Sequence, residues 1–437
     1  ISPEVLFSTK AAFMKHVLHL AIFLLFYGSL TAQSSYQNAE RFADSLYRAK
    51  NFSAAAPAYL RLRSIADFPA QHATSLYYAA CCYALANQPD SALRLLAEFA
   101  PMGYTAKQTI AGDPDFAAIR SLKAFHEILN TIPSRPPVNR DPMKVQLVTS
   151  DIVRFWQAFD VAKGDSAELQ KQMRAIYFAQ ATPGMLDYFG FKVPSITYFI
   201  EQIIKHPKFY ATVRNNTYAA DRSKTAIIAA MKKFKTIYPA AEFPDVYFVM
   251  GAFTSGGTAT DKGLLVGVNQ MANGPGIDVS EFDASDAALM NEAEYLPNVV
   301  AHELIHFQQG ALKKDTTNLK YAIEEGMADF LGELISGRTA NPKLHQWMKG
   351  RERATWQRFK KEMFENNYMG WIANASRVKP GDYPDQGYWI GYQICKAYYD
   401  KSKDKKKAVY DMLHITDYPA FLGASGLDEK MQNLSKK

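Results

Sequence analysis

Between residues 36 and 130, alanine, leucine and tyrosine return every third or fourth position, the spacing that lines one face of a helix. Four prolines, Pro133, Pro136, Pro137 and Pro142, then interrupt the pattern and read as a linker. Helical spacing resumes over roughly 149–182, 195–216 and 221–237, after which the period changes. Asp245 to Met250 and Gly263 to Val268 are short apolar runs bounded by turn residues, which predicts two neighbouring strands of one sheet. The Gly256-Gly257 pair between them lacks the following lysine and Ser/Thr of a phosphate loop and reads as a turn. Two more helices are expected. One runs from Pro297 to a stop near Gly310, and the other contains Tyr321 to Leu331 and ends near Gly337. The expected fold class is α+β and mostly helical, a domain with a small sheet preceded by an all-α domain.

The first helical region has an internal echo. Ser53-Ala54-Ala55 superposes on Asp90-Ser91-Ala92 at an offset of 37 residues. This resembles a tetratricopeptide array of two to three units, whose repeat is about 34 residues, with a generic pair of helical hairpins as the alternative. Stacked helix pairs of this kind offer grooves to protein partners. The expected organisation is an upstream extension at 1–13, a signal peptide at 14–32, helical repeats at 33–132, a linker at 133–144 and a second domain at 145–437.

The signal peptide rests on Lys15 and His16, the apolar run Val17 to Tyr27, and small residues before a cut at Ala32/Gln33. The run is shorter than the roughly 20 residues of a membrane-spanning helix, and no later run reaches that length. The mature chain is therefore expected to be exported, periplasmic or secreted, without a transmembrane segment. No cysteine stands at the cut, so a lipid anchor there is not expected.

Composition narrows the picture further. With 48% hydrophobic and 21% charged residues the chain has ample material for buried cores and is not of the disordered class. Its net charge of +7, from 50 basic and 43 acidic residues, is scattered. The run Lys401, Lys403, Lys405, Lys406 and Lys407 reads as solvated surface, and no nucleic-acid partner is implied. Three cysteines, Cys81, Cys82 and Cys395, make neither a disulfide framework nor a four-cysteine metal site.

Candidate chemistry lies between 297 and 329. His302-Glu303-Leu304-Ile305-His306 puts two histidines one helical turn apart on one face, where both imidazoles can reach a single ion with Glu303 beside them. A solvated surface helix is the bland alternative, but Val299, Val300, Leu304 and Ile305 make most of this helix apolar, so its ionisable groups need a reason to be buried. A third ligand should come from the next helix, where Glu324 and Glu325 are neighbours. His206, His345 and His414 have no ligand-like spacing.

Glu325-Gly326-Met327-Ala328-Asp329, with 18 residues between His306 and Glu325, resembles the second-helix signature of gluzincin zinc peptidases. The segments 238–268, 297–309 and 325–337 look like exported bacterial chains described as predicted zinc-dependent proteases of unknown function, with the helical repeats outside the likeness. The resemblance implies Zn²⁺, one per chain, on His302, His306 and Glu325, with Glu324 the rival and Asp329 supporting a histidine. It implies Glu303 as general base for a zinc-bound water, and a peptide or protein substrate lying along a sheet edge. An oxyanion donor would be Tyr388 or Tyr392, 63 and 67 residues after Glu325, with Tyr388 favoured and simple packing the alternative for both. No exopeptidase motif of the Gly-x-Met-Glu-Asn type is present. The expectation is an exported zinc metallopeptidase. The competing readings are a tetratricopeptide scaffold or accessory protein whose zinc site is structural or vestigial, and a non-peptidase hydrolase using the same metal.

Overall fold

A computed structural model describes residues 36–433 apart from 106, 134–137, 284–285, 288–289 and 380. The expected extension and signal peptide, and part of the expected linker, lie outside the described residues. The chain is mostly helical with a four-stranded sheet, and its contacts divide it into two units. No described helix is long and apolar enough to cross a membrane.

The first unit takes the described residues up to 134 together with Phe189–Glu201. Its main helices are α1 (36–48), α2 (Phe52–Leu62), α3 (Pro69–Leu85) and α4 (Pro89–Phe99). The two similar stretches of sequence fall on α2 and α4, and both helices pack on α3. Small residues make this approach close: Ala55, Ala79, Ala80 and Ala92 are fully buried beside Leu62, Leu96 and Phe99. The last helix of this region is short, Lys123–Leu129, because Pro114 opens a 3₁₀ turn and the chain stays in turns and a bend as far as Leu122. Residues 189–201 join this unit through polar bonds. Asp67 accepts from the Ile196 amide at 2.8 Å, and Gln71 Nε2 donates to the Pro194 carbonyl at 3.0 Å.

In the second unit the sheet runs in the order β1 (Leu147–Val148), β2 (Val246–Val249), β4 (Gly263–Gly267), β3 (Gly257–Thr260). The two expected runs are neighbours, parallel, with Val246 opposite Leu264. The glycine pair read as a turn is partly strand: Gly257 begins β3, an edge strand antiparallel to β4. Its Gly-Thr-Ala-Thr sequence is half-exposed throughout, so the apolar signal that betrays a strand is absent, whereas β4 is buried at every position.

Helices α6 (Leu296–Gln308), α7 (Asn318–Ser336) and α8 (Gln386–Lys401) carry the site, and α5 (Ala219–Ile237) packs against α6 and α7. Helix α6 has Pro297 in its first turn and packs against β3 and β4. Helix α7 starts where the Thr317 side chain accepts from the Lys320 amide at 3.2 Å, and ends at Gly337, φ +94°. Helices α7 and α8 meet backbone on backbone. A Cβ on Gly391 would lie 1.6 Å from the Ala322 carbonyl oxygen, and one on Gly326 would lie 2.0 Å from the Tyr392 nitrogen.

That contact predicts a reversal of helix propensity. In an open helix, Gly→Ala stabilises by up to about 1 kcal/mol. Gly423→Ala, in a helix with nothing near its Cβ, should do so in urea unfolding. Gly391→Ala should instead destabilise by about 3 kcal/mol, because only backbone movement relieves the clash. A stable Gly391→Ala chain would mean that the two helices do not cross this closely.

Candidate metal centre

Helices α6 and α7 bring together three of the residues singled out from the sequence. His302 Nε2 and His306 Nε2 are 3.0 Å apart, and Glu325 Oε2 lies 3.1 Å from His306 Nε2 and 3.6 Å from His302 Nε2. Zinc–nitrogen and zinc–oxygen bonds of about 2.0–2.1 Å in a tetrahedron place donors about 3.3 Å apart, so these spacings fit one ion. Glu324, the rival third ligand, turns away to pair with Lys320.

The hydrogen bonding behind the donors fixes which nitrogen faces which way. His302 Nδ1 donates to Asp329 Oδ1 at 2.8 Å, and Asp329 is fully buried. His306 Nδ1 faces Gln309 Oε1 at 2.7 Å. The Gln309 amide is oriented because its Nε2 donates to the Glu324 carbonyl, also at 2.7 Å, so Oε1 is the acceptor and His306 Nδ1 carries the hydrogen. With both Nδ1 atoms as donors, both Nε2 lone pairs and a carboxylate oxygen converge on one spot. Three acceptors so close require a cation among them, a proton or a metal ion. Two imidazoles and one carboxylate are a set that suits zinc.

Two of these residues were not visible beforehand. Gln309 stands three residues past His306, one turn along the same face, which is its only sequence signal. Asn341, whose Nδ2 donates to both Asp329 oxygens at 2.9 and 2.8 Å, comes from beyond the end of α7 and had none.

Glu303 is buried and rests against the edge strand: a Cβ on Gly257 would come within 2.4 Å of its Oε1. Of the two tyrosines, Tyr388 reaches the centre. Its ring stacks on His302 at 5.9 Å between centroids and 17° between planes. Tyr392, one turn on, donates to Glu333 at 2.9 Å instead. His206 is buried and stacked on Phe282, His345 is packed against Tyr392, and His414 lies under Tyr410, all away from the donors.

Burial alone would lower the His302 imidazole, but Asp329 and Glu325 reverse this and hold it well above its usual value. Burial also opposes charge on His306, where Glu325 again prevails and raises it. Glu325 itself, though buried, is held well below the usual carboxylate range by His306 and His302. A raised imidazole adds stability that is complete below its unfolded value of about 6.5 and is lost as pH rises through the folded value. A lowered carboxylate adds stability that is complete above about 4.3 and is lost as pH falls through its folded value. Metal-free protein should therefore lose Tm as pH rises above about 6.5 and through the raised imidazole values, where the shared proton leaves, and saturating zinc should abolish that loss. A Tm in chelator that stays level across that range would contradict the convergence of acceptors.

A family model described as Gliding motility protein GldB, labelled as a lipoprotein family, matches residues 137–427. No curated protein and no solved structure matches the chain. The family match overturns the gluzincin and peptidase reading, and with it the assignments as hydrolase and protease, the peptide substrate, the general-base role of Glu303 and the oxyanion role of Tyr388. The motif specified how ligands are spaced, and spacing does not determine what, if anything, is cleaved. The glycine that completed the resemblance has a packing duty of its own, since Gly326 is where α8 touches α7. With the match spanning more than half of its 437 residues, the chain belongs to the gliding motility protein GldB family.

Proposed function

We propose that this chain is an exported accessory component of a gliding-motility apparatus, one that holds protein partners and carries a zinc ion as a structural cross-link. The family match over residues 137–427 carries this reading. The signal-like segment at 14–32 and the lipoprotein label of the family both support export to the cell envelope. Cys81, Cys82 and Cys395 are all buried in the fold, so none of them is open to a lipid.

The first unit supports the partner-holding part. Its hairpin-like succession of α2, α3 and α4, with the internal echo on α2 and α4, is consistent with tetratricopeptide-like repeats, a geometry suited to gripping a protein segment. The metal part rests on the donor set. His302, His306 and Glu325 would hold the ion, and Asp329 and Gln309 would keep the imidazoles turned toward it. When bound, zinc would supply the positive charge that the three converging acceptors lack, tying α6 to α7.

Two experiments test the reading. In a gliding organism that depends on this chain, Glu303→Gln should restore movement as well as the unaltered chain, whereas deletion should abolish it. A folded, zinc-loaded Glu303→Gln protein that fails to restore movement would sink the accessory role. Zinc at about a thousand times its Kd should stabilise the purified chain by about 4 kcal/mol. That gain should vanish in His306→Ala, and a Tm indifferent to zinc and chelator would remove the metal from the proposal.

A further inference from the structure

Charge that is scattered along the sequence is gathered by the fold of the second unit. Helix α5 carries five basic residues and one acidic one, and α9 (Lys405–Leu413) carries three basic residues and one acidic one. The two helices pack together, and the ring of Tyr238, just past α5, meets that of His414, just past α9, at 6.2 Å. Both turn apolar sides inward, with Ile227, Met231 and Phe234 buried on α5 and Val409, Met412 and Leu413 buried on α9. Arg222, Lys224, Lys232 and Lys233 are left exposed on α5, as are Lys403, Lys406 and Lys407 around the start of α9. We propose that this face docks on an anionic phospholipid surface. The inference rests on the envelope location given above and goes beyond it by naming the part of the second unit that meets the membrane.

The charges on this face are poorly matched within the protein. Lys407 pairs with Asp411, but among the described residues Lys224, Lys232, Lys233 and Lys406 make no ion pair. Asp404, the acid nearest Lys406, is occupied at the start of α9, where its Oδ1 accepts from the Lys406 and Lys407 amides at 3.0 Å each. Like charges held side by side repel, and an extended anionic surface relieves them together. Apolar and aromatic side chains favour a lipid surface over a soluble polyanion. Tyr410, one turn on from Lys406 and Lys407, is exposed and stacks on His414 at 4.0 Å between centroids and 14° between planes. Met143, 61% exposed, lies in the 3₁₀ turn Pro142–Lys144, which packs on α5 and adds the exposed Lys144. A tyrosine joins an apolar ring to a polar hydroxyl and settles at headgroup level, and a bare methionine gains from the acyl boundary below it. A nucleic acid or an acidic protein would reward the charge and gain nothing from Met143. The lipoprotein label of the family puts a bilayer within reach of such a chain, so a contact of modest strength suffices.

The test is co-sedimentation of the full chain with vesicles of phosphatidylcholine, alone or with phosphatidylglycerol added. The chain should sediment with the anionic vesicles and not with the neutral ones. It should be released as salt shortens the screening length from about 10 Å at 0.1 M to about 3 Å at 1 M. The combination Lys232→Ser, Lys233→Ser and Lys406→Ser should weaken binding about 100-fold, roughly fivefold for each charge removed. Lys349→Ser, Lys361→Ser and Lys430→Ser together make the same change of charge at other exposed positions of the second unit and should leave binding as it was. Met143→Ser should weaken vesicle binding several-fold. Equal losses in the two triple variants, uptake on neutral vesicles, a Met143→Ser chain that binds as before, or soluble polyglutamate that competes as well as the vesicles would each overturn the inference. A chain that binds anionic vesicles but is recovered from the soluble cytoplasmic fraction of cells would overturn the envelope location instead, so the two failures are distinguishable.

Discussion

The organisation of the second unit depends on how closely three helices can approach. At Gly326 and Gly391 there is no side chain between α7 and α8, and at Gly332 a Cβ would come within 3.2 Å of the His302 amide nitrogen on α6. Helices with side chains at these crossings would stand about 8–10 Å apart between axes, and groups that now meet would be separated by a layer of carbon. Because the crossings are bare, Glu325 reaches the histidines of α6 and the Tyr388 ring stacks on His302. The polar cluster is a result of glycine placement as much as of its own charges.

Much of this was legible in the chain. The helix bearing His302 and His306, its stop near Gly310, the helix around Glu325 with its end at Gly337, and the parallel pair of apolar strands all announce themselves through period, proline and glycine. Strand β3 did not, because an edge strand of Gly-Thr-Ala-Thr buries too little to leave an apolar pattern. Gln309 and Asn341 were also silent, since an amide that orients an imidazole or a carboxylate is chosen by three-dimensional position. The functional reading failed for a related reason. Glu325-Gly326 was taken as the mark of a chemistry, whereas Gly326 is required wherever two helices touch there, whether or not anything is cut.

Glu303 illustrates the same separation of form from use. It sits beside the donors, buried under Gly257 of β3. A carboxylate in that position adds negative potential next to two imidazoles and favours their positively charged forms, an effect seen at both His302 and His306. Such a group raises the demand for a cation at the centre without taking part in any reaction. A buried cluster of this kind can be kept because removing one member leaves the others uncompensated, which is costly in any protein.

Residues 189–201 pack with the first unit although the chain on either side of them packs with the second. The division into units is therefore a property of contacts and does not follow the order of the chain. The family match begins at residue 137 and so carries this borrowed segment with it, apart from Asp67 in the loop before α3 and Gln71 on α3, which hold it. A gene fragment ending in the proline-rich stretch would encode a first unit lacking one of its own pieces, and the complementary fragment would carry that piece with nothing to receive it. Such a chain resists being shuffled as a cassette: the two units are bound to a common history by a shared thread, not by a joint that can be cut.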